Sequence, residues 1–306
     1  MKEVRIIAPS RSLKEKYFIS SKKLEDLGYK VTYGKNVFKT SLLGCASIKD
    51  RVSDLEDAFL DKNVELIMCA HGGYNVNQIL DYIDYDIIKN NPKLICGFSD
   101  ITALLNAIYK KTGVITLCGP TFSSLKYDFS YTDEYFKKII FDKKFDVKPS
   151  LTYTDYYSLE EKVFNNPGIK IINKGHASGT IIGGNLCTLN LLQGTCYMPS
   201  LKNTILFLED DGETLENFFY EFDRNFESLS QLPDFKFVKG IVIGRCQDIS
   251  SMNDEKWEFI LKRDKIKNIP VVYGVDFGHV SPMITFPIGG KCILDVSSSA
   301  KIRVER

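Results

Sequence analysis

The sequence lacks a net charge, a long apolar run and a secretion signal, and these absences exclude several classes of protein. Its 40 lysines and arginines oppose 39 aspartates and glutamates, so the formal net charge is only +1. Such a balance provides no overall field to attract nucleic acid or an anionic membrane surface. No apolar stretch approaches the roughly 18 residues of a membrane-spanning helix, and residues 1–7 enter a strand-like pattern without a cleavage signal. The sequence therefore predicts a cytoplasmic protein with neither nucleic-acid nor membrane partners.

Motifs for disulfides, bound zinc and dinucleotides are also missing. The eight cysteines form no Cys-x-x-Cys pair and several lie in apolar runs, which predicts reduced core residues rather than a disulfide framework or a zinc site. No Gly-x-Gly-x-x-Gly follows the first predicted strand, and the segment 8–12 is a poor phosphate cradle. A nucleotide-dependent enzyme is therefore disfavoured, although tight binding of a dinucleotide would revive that interpretation.

Strand and helix patterns alternate regularly in the first half of the chain. A chain of 306 residues with 44% hydrophobic composition can form two domains. We predict strands over 4–8, 31–33, 65–70, 94–96 and 114–118, and helices over 13–27, 48–60, 76–83 and 101–111. Parallel strands joined by such helices need right-handed crossovers, which produce a mostly parallel sheet. The predicted fold class for residues 1–145 is therefore a doubly wound α/β domain.

The second half is richer in strands and alternates less regularly. Residues 169–306 are predicted to form a smaller, mixed α+β domain. Between the two domains, residues 146–168 lack a clean period and end in turn residues. This segment is a linker, an active-site flap or a plain surface connection.

Polar residues follow four of the predicted strands, at the points where ligands gather in open α/β sheets. Ser99 follows one strand after Gly97, and the next backbone amides would point at an oxyanion formed there, as in a nucleophile elbow. The usual elbow has a glycine two residues after the serine, whereas this chain has Ile101. The stretch alone favours a simpler interpretation, in which Ser99 or Asp100 caps the following helix.

The other strand ends supply the remaining groups for acyl transfer by a serine. They are the pair Gly72-Gly73, an acidic run beginning at Glu209, and the turn that contains His279. The glycine pair could form only a tight turn. The acidic run could instead hold a divalent cation, although no metal-ligand spacing accompanies it.

Three histidines are candidates for the general base. His279 is preferred because it follows an apolar strand and lies in a Gly-His-Val-Ser-Pro turn that would fix the ring. His176 is predicted to lie in a solvated loop, and His71 would lie beside the glycine pair as a substrate contact. A cysteine nucleophile is disfavoured because Cys69 and Cys96 fall in apolar strands that would bury the thiol. Because Gly73, Glu209 and His279 each supply a different part of one mechanism, the preferred interpretation of Ser99 changes from helix cap to nucleophile.

The sequence resembles the LD-carboxypeptidase family of serine peptidases, and within that family it is most similar to the microcin C immunity proteins. The matching motifs lie in one order along nearly the whole chain, at 71–75 (HGGYN), 80–86, 97–102 (GFSDIT), 119–120, 182–195, 205–210 and 276–279 (DFGH). The resemblance implies Ser99 as nucleophile, His279 as general base and Glu209 as its orienting carboxylate. It also implies an oxyanion hole of the Gly73 and Asp100 backbone amides, with the Asp100 side chain left to cap the helix.

The resemblance further implies a site at the junction of two domains, a homodimer, and no metal or organic cofactor. The implied substrate is a small peptide or an aminoacyl- or peptidyl-nucleotide, cleaved at an amide bond. Expected substrate contacts are His71, Gly72, Asn75, Asn185, Tyr156 and Tyr157. The two tyrosines stand where such members carry tryptophan, which occurs here only as Trp257. Tyrosine can also stack on a base.

Two other functions remain open. One is cleavage of an L,D peptide bond in murein tetrapeptides, with release of D-alanine. The other is a non-catalytic, two-lobed protein that closes on a small ligand, because glycine-rich strand ends can also bind without chemistry. Product masses would separate the two substrates, and unchanged ligand affinity with an inert Ser99 would indicate the binding protein.

Overall fold

The contacts within the chain divide it into two units, each with its own main sheet. The computed structural model describes residues 2–127, 129–155, 162–211 and 217–306. The first unit comprises Met1–Asp128 and Leu191–Pro199, and the second comprises Phe129–Asn190 and Ser200–Arg306.

The first unit is built on five parallel strands whose apolar side chains are largely buried. In chain order its elements are β1 (Glu3–Ile7), α1 (Phe18–Asp26), β2 (Lys30–Tyr33), α2 (Ile48–Leu60), β3 (Val64–Cys69), α3 (Tyr85–Asn90), β4 (Leu94–Gly97), α4 (Ile101–Thr112) and β5 (Thr116–Cys118), with 3-10 helices over Val76–Tyr82 and Ser124–Lys126. The strands lie in the order β5-β4-β3-β1-β2, and each neighbouring pair is parallel. Residues that follow β3 and β4 therefore lie at one edge of the sheet.

Local signals explain several helix ends in this unit. Ser47 caps α2 by accepting a hydrogen bond from the Asp50 amide at 3.1 Å, and Asp84 caps α3 in the same way. Gly113 ends α4 in the left-handed conformation, with a φ of +75°. These local features mark the helix boundaries.

The second unit contains an eight-stranded mixed sheet. Its elements are α5 (Ser130–Lys137), β6 (Lys144–Asp146), β7 (Thr152–Asp155), β8 (Phe164–Asn165), β9 (Lys170–Asn173), β10 (Gly175–Asn185), α6 (Leu186–Asn190), β11 (Thr204–Glu209), α7 (Phe218–Ser230), β12 (Gly240–Gly244), α8 (Asp254–Leu261), β13 (Val271–Val275), β14 (Val280–Ser281), β15 (Phe286–Ile288), β16 (Lys291–Val296) and β17 (Ala300–Glu305), with a π-helical turn over Lys138–Asp142 and 3-10 turns over Phe235–Phe237, Asp248–Ser250 and Asp264–Ile266. The order of the main sheet is β6-β17-β16-β10-β11-β12-β13-β9. Strands β10 to β13 are parallel, so their carboxyl ends share one edge.

Described residues of the segment 146–168 belong to this second unit. Strand β7 pairs antiparallel with β8 and also with β14. Strand β6 pairs with β17, so residues 129–146 join the second unit and the first unit ends before residue 145. The second unit is consequently the larger one, whereas the sequence predicted a smaller second domain.

Only glycine fits at the closest approach of β10 to β11. A Cβ at Gly183 would stand 1.9 Å from the carbonyl oxygen of Phe207, and the φ of this glycine is +146°. The close pairing aligns Asn185, the last residue of β10, with Glu209, the last residue of β11. Two of the predicted site residues are therefore neighbours on the sheet.

The predicted fold class, an α/β protein with parallel-rich sheets in two parts, is confirmed by this topology. The structure shows all eight cysteines outside any disulfide. Most are buried as predicted, but the core assignment is wrong for Cys187 and Cys196, which are exposed. Within the described ranges, no helix is long and apolar enough to cross a bilayer.

Candidate active site

Ser99 lies in the turn between β4 and α4 with a left-handed backbone. Its φ is +62°, a conformation that costs a non-glycine residue about 1–2 kcal/mol. The sharp turn predicted from the sequence is therefore present, and its strain falls on the serine itself. Strain of this kind clusters at functional sites, where the surrounding structure enforces it.

The glycine pair after β3 packs directly against Ser99. A Cβ at Gly72 would stand 2.9 Å from the Ser99 Cβ and 3.1 Å from its Oγ, so a side chain would displace the serine. Gly73 has a φ of +155°, and a Cβ there would stand 2.3 Å from the Ser10 Oγ. Both positions thus require glycine for space, and the pair is more than a generic turn.

Asp100 differs from the expectation that its side chain caps α4. It makes no side-chain capping hydrogen bond to that helix. Its Oδ2 instead accepts hydrogen bonds from the backbone amides of Asn75 and Val76, both at 2.9 Å, and from the hydroxyl of Ser10. The capping prediction is wrong because partners distant in sequence offer this buried carboxylate better donors.

His71 lies beside the same glycine pair and is uncharged at neutral pH. Its ring meets Tyr17 edge to face, with centroids 6.0 Å apart. Burial lowers the pKa of His71, and the positive charges of Arg11 and Lys126 lower it further, to about 4. The ring can therefore donate or accept a hydrogen bond, and its role as a substrate contact stays a prediction.

In the second unit, His279 and Glu209 form a buried ion pair. The side chain of His279 is 3% exposed and that of Glu209 is 4% exposed. Nδ1 of His279 lies 2.8 Å from Oε2 of Glu209. A Cβ at Gly278 would stand 2.8 Å from that same Oε2, so the glycine lets the carboxylate pass beneath the turn. The arrangement orients the imidazole with one nitrogen committed to Glu209.

The acidic run contributes a second carboxylate to His279. Oδ2 of Asp211 lies 3.3 Å from Nε2, the other ring nitrogen. Burial alone would lower the pKa of His279, but the charges of Glu209 and Asp211 outweigh it and raise the pKa to about 9. Burial, reinforced by Glu209 and Asp211, also raises the pKa of Asp210 to about 7. At neutral pH the ring is therefore an imidazolium held between two carboxylates.

Asp211→Asn should lower the pKa of His279 by about half to one unit, because it removes one of the two facing charges and Asp211 is partly exposed. NMR titration of the imidazole signals measures this directly, since the chain has only three histidines. Asp264→Asn, in a fully exposed acidic residue of the same unit, is the matched control and should leave the titration unchanged. An equal titration in Asp211→Asn and wild type would contradict the contact.

Sequence reasoning missed a buried network that anchors the hairpin of β7 and β8. Arg245 donates from Nε to Asp276 at 2.9 Å and from Nη2 to Asn166 at 2.6 Å. Its guanidinium lies 4.8 Å from the ring centroid of Tyr153, which stacks on Phe164 at 5.1 Å. Arg245 follows β12 as Glu209 ends β11, so its strand-end position was the available signal.

The remaining predicted residues are placed as follows. Asn185 donates to Asp210 at 3.2 Å, close to the ion pair at the end of β11. His176 is exposed, as predicted, but it lies on strand β10, whereas the sequence predicted a loop. Tyr156 and Tyr157 lie outside the described residues. Over the described ranges, no group of three or more His, Cys, Asp or Glu side chains is arranged to hold a metal ion.

Comparison with known proteins adds a family to this geometry. Residues 4–119 match the model of the LD-carboxypeptidase N-terminal domain, and residues 178–294 match that of the LD-carboxypeptidase C-terminal domain. A putative carboxypeptidase from Treponema pallidum is 44% identical, covering 96% of this chain and 90% of the relative. Putative carboxypeptidase YocD from Bacillus subtilis is 41% identical over 99% of this chain and 97% of its own length. The microcin C7 self-immunity protein MccF from Escherichia coli is 31% identical, over 92% and 86%.

Solved structures agree with these relatives. An MccF-like protein from Bacillus anthracis superposes with a TM-score of 0.96 at 42% identity, covering 99% of this chain and 96% of the other. The microcin C7 self-immunity protein MccF in complex with aspartyl sulfamoyl adenosine superposes with a TM-score of 0.82 at 28% identity, covering 100% and 96%. The similarity therefore extends through both units.

Proposed function

The chain belongs to the LD-carboxypeptidase family, and on this premise we propose that it is a serine carboxypeptidase-type amidohydrolase with Ser99, His279 and Glu209 as its triad. The observation that carries the proposal is the buried ion pair in which Nδ1 of His279 lies 2.8 Å from Glu209. Burying two charges costs desolvation free energy that a hydrophobic pair would avoid, so a stabilising role alone is a weak explanation. Orientation of a general base is a stronger one.

In this mechanism the Oγ of Ser99 attacks the amide carbonyl while Nε2 of His279 accepts the hydroxyl proton. Glu209 accepts a hydrogen bond from the Nδ1–H group of His279, which sets the tautomer and stabilises the imidazolium. The backbone amides of Gly73 and Asp100 donate to the oxyanion, and one such donor is typically worth about 3 kcal/mol of the barrier. Protonated His279 then gives its proton to the leaving amine, and water hydrolyses the acyl-enzyme by the same route.

Proton transfer requires a neutral imidazole, so Asp211 must leave Nε2 before the attack. In the substrate-free protein burial lowers the pKa of His279, but Glu209 and, after it, Asp211 raise the pKa to about 9, and Asp211 lies against Nε2. Asp211 is the more exposed of the two carboxylates, and its Oδ1 also accepts a hydrogen bond from Nδ2 of Asn185 at 3.3 Å. Substrate binding that displaces Asp211 would therefore prepare the base for catalysis.

We propose an aminoacyl- or peptidyl-nucleotide as the substrate. Support comes from MccF, which shares both units with this chain and is known in complex with aspartyl sulfamoyl adenosine and with glutamyl sulfamoyl guanosine. The family description itself supports the alternative, cleavage of an L,D peptide bond in murein tetrapeptides. A homodimer, a cytoplasmic location and metal-independent catalysis stay predictions.

Incubation with aspartyl sulfamoyl adenosine and, separately, with a murein tetrapeptide tests the proposal, with product masses as the readout. We expect aspartate and sulfamoyl adenosine from the first compound, and little or no D-alanine from the second. D-Alanine as the main product would favour the murein alternative. Tight binding of either compound without turnover would indicate the non-catalytic binding protein instead.

A further inference from the structure

Three hydrogen bonds converge on one oxygen of Asp100. The backbone amides of Asn75 and Val76 donate to its Oδ2 at 2.9 Å each, and the Ser10 hydroxyl donates to the same atom. The residue is 3% exposed, so water competes little for this oxygen. Hydrogen bonds to an ionised, buried acceptor are roughly twice as strong as those between neutral groups.

The loop that donates these bonds is also held from its opposite side. Nη1 of Arg51, on α2, donates to the carbonyl oxygens of Asn75 and Pro9, both at 3.0 Å. Its Nη2 donates to Gln78 at 2.8 Å, and Arg51 is only 2% exposed. The peptide groups on both sides of Asn75 are therefore fixed by buried charged side chains.

We propose that the Asp100 carboxylate is a positioning group, which sets the distance between the two oxyanion donors. This inference rests on the proposed function, in which the Gly73 and Asp100 amides are those donors. Asp100 carries one donor on its own backbone. Through its side chain it holds Asn75, two residues after Gly73, and thereby the loop that carries the other donor.

The physical need for such a group follows from the loop's composition. Two successive glycines leave the backbone with more conformational freedom than any other pair of residues. An oxyanion donor is effective only within about 2.7–3.1 Å of the developing charge, so small movements of the loop weaken it. The neighbouring contact of Gly73 with Ser10 shows the same tight fit, since Ser10 itself donates to Asp100.

Asp100→Asn should lower kcat by about 10- to 100-fold with KM changed less than about threefold, because the oxyanion exists only in the transition state. The amide keeps the shape and one acceptor oxygen but loses the charge that binds three donors. Ser10→Ala removes one donor and should lower kcat by a smaller factor. The probe is aspartyl sulfamoyl adenosine, or the murein tetrapeptide if wild type cleaves that instead.

Asp54→Asn is the matched control. Asp54 is also 3% exposed, and its carboxylate accepts from the Asn36 amide at 3.0 Å and from its side chain at 2.9 Å. The change should lower the melting temperature as Asp100→Asn does, but leave kcat unchanged once the folded fraction is counted. Wild-type kcat in Asp100→Asn, or an equal loss in the control, would overturn the inference.

Failure of this inference is distinguishable from failure of the proposed function. If wild type has no turnover, or if Ser99→Ala keeps it, the proposed function itself fails. If wild type is active, Ser99→Ala is inactive and Asp100→Asn behaves as wild type, only the positioning role fails. Should Asp100→Asn not fold, Ser10→Ala decides, because an unchanged kcat in that variant would contradict a clamp on the loop.

Discussion

Ser99→Ala should reduce kcat for amide hydrolysis by about 10⁴- to 10⁶-fold while leaving substrate affinity within a few fold. The substitution removes only the attacking oxygen. It keeps the Cβ, against which Gly72 packs so closely that a Cβ at position 72 would lie only 2.9 Å away. Alanine adopts the left-handed φ of +62° at a steric cost similar to that of serine. Single-turnover kinetics give the loss in kcat, and calorimetric titration of the inactive variant gives the affinity.

Two further variants separate chemistry from structure in this test. Ser123→Ala alters a buried serine of the same unit, whose Oγ lies 3.1 Å from Thr121 Oγ1, and should keep wild-type kcat. Ser99→Gly should be inactive yet at least as stable as wild type, because glycine adopts a positive φ without steric cost. Hydrolysis by Ser99→Ala at the wild-type rate would remove Ser99 from the mechanism.

The sequence predicted the fold well wherever local signals and the core agreed. Helix α2 has the predicted bounds, because Ser47 caps an amphipathic segment whose apolar side is buried. Strands β1, β3 and β4 lie within one residue of the predicted ranges at each end. Since strand ends in such sheets meet at one edge, the candidate residues of each unit could be grouped before the structure was known.

The misses have long-range causes. Helix α1 begins at Phe18 instead of residue 13, and the backbone before it has long-range partners, since the amides of Ser12 and Leu13 donate to the carbonyls of Gly44 and Val37, both at 2.9 Å. Asp100 looked like a helix cap, but its donors lie 24 to 90 residues away in sequence. No local pattern encodes such partners, and the same holds for the second carboxylate that Asp211 places against His279.

His279→Gln should lower kcat as much as Ser99→Ala does, by about 10⁴- to 10⁶-fold. Glutamine cannot take the proton from Ser99 or return it to the leaving amine. Glu209→Gln should cost somewhat less, about 10⁴-fold, because it removes the charge that orients the ring but keeps the base. The double variant Ser99→Ala/His279→Gln should be no slower than either single variant, and multiplicative losses would mean that the two residues act independently.

His279→Gln should also change how the stability of the protein depends on pH. The pKa of His279 in the folded protein, about 9, lies above its ordinary value of 6.5, so the ion pairs of the ring stabilise the fold fully below pH 6.5. This contribution is lost as pH rises through 9. The raised pKa of Asp210 also makes the stability fall as pH rises, but between pH 3.8 and about pH 7. Urea unfolding of wild type should therefore show falling stability from pH 6.5 to 9, and His279→Gln should lose that slope. If both proteins kept the same slope, the raised pKa of His279 would be wrong, and with it the need for Asp211 to leave Nε2 before the attack.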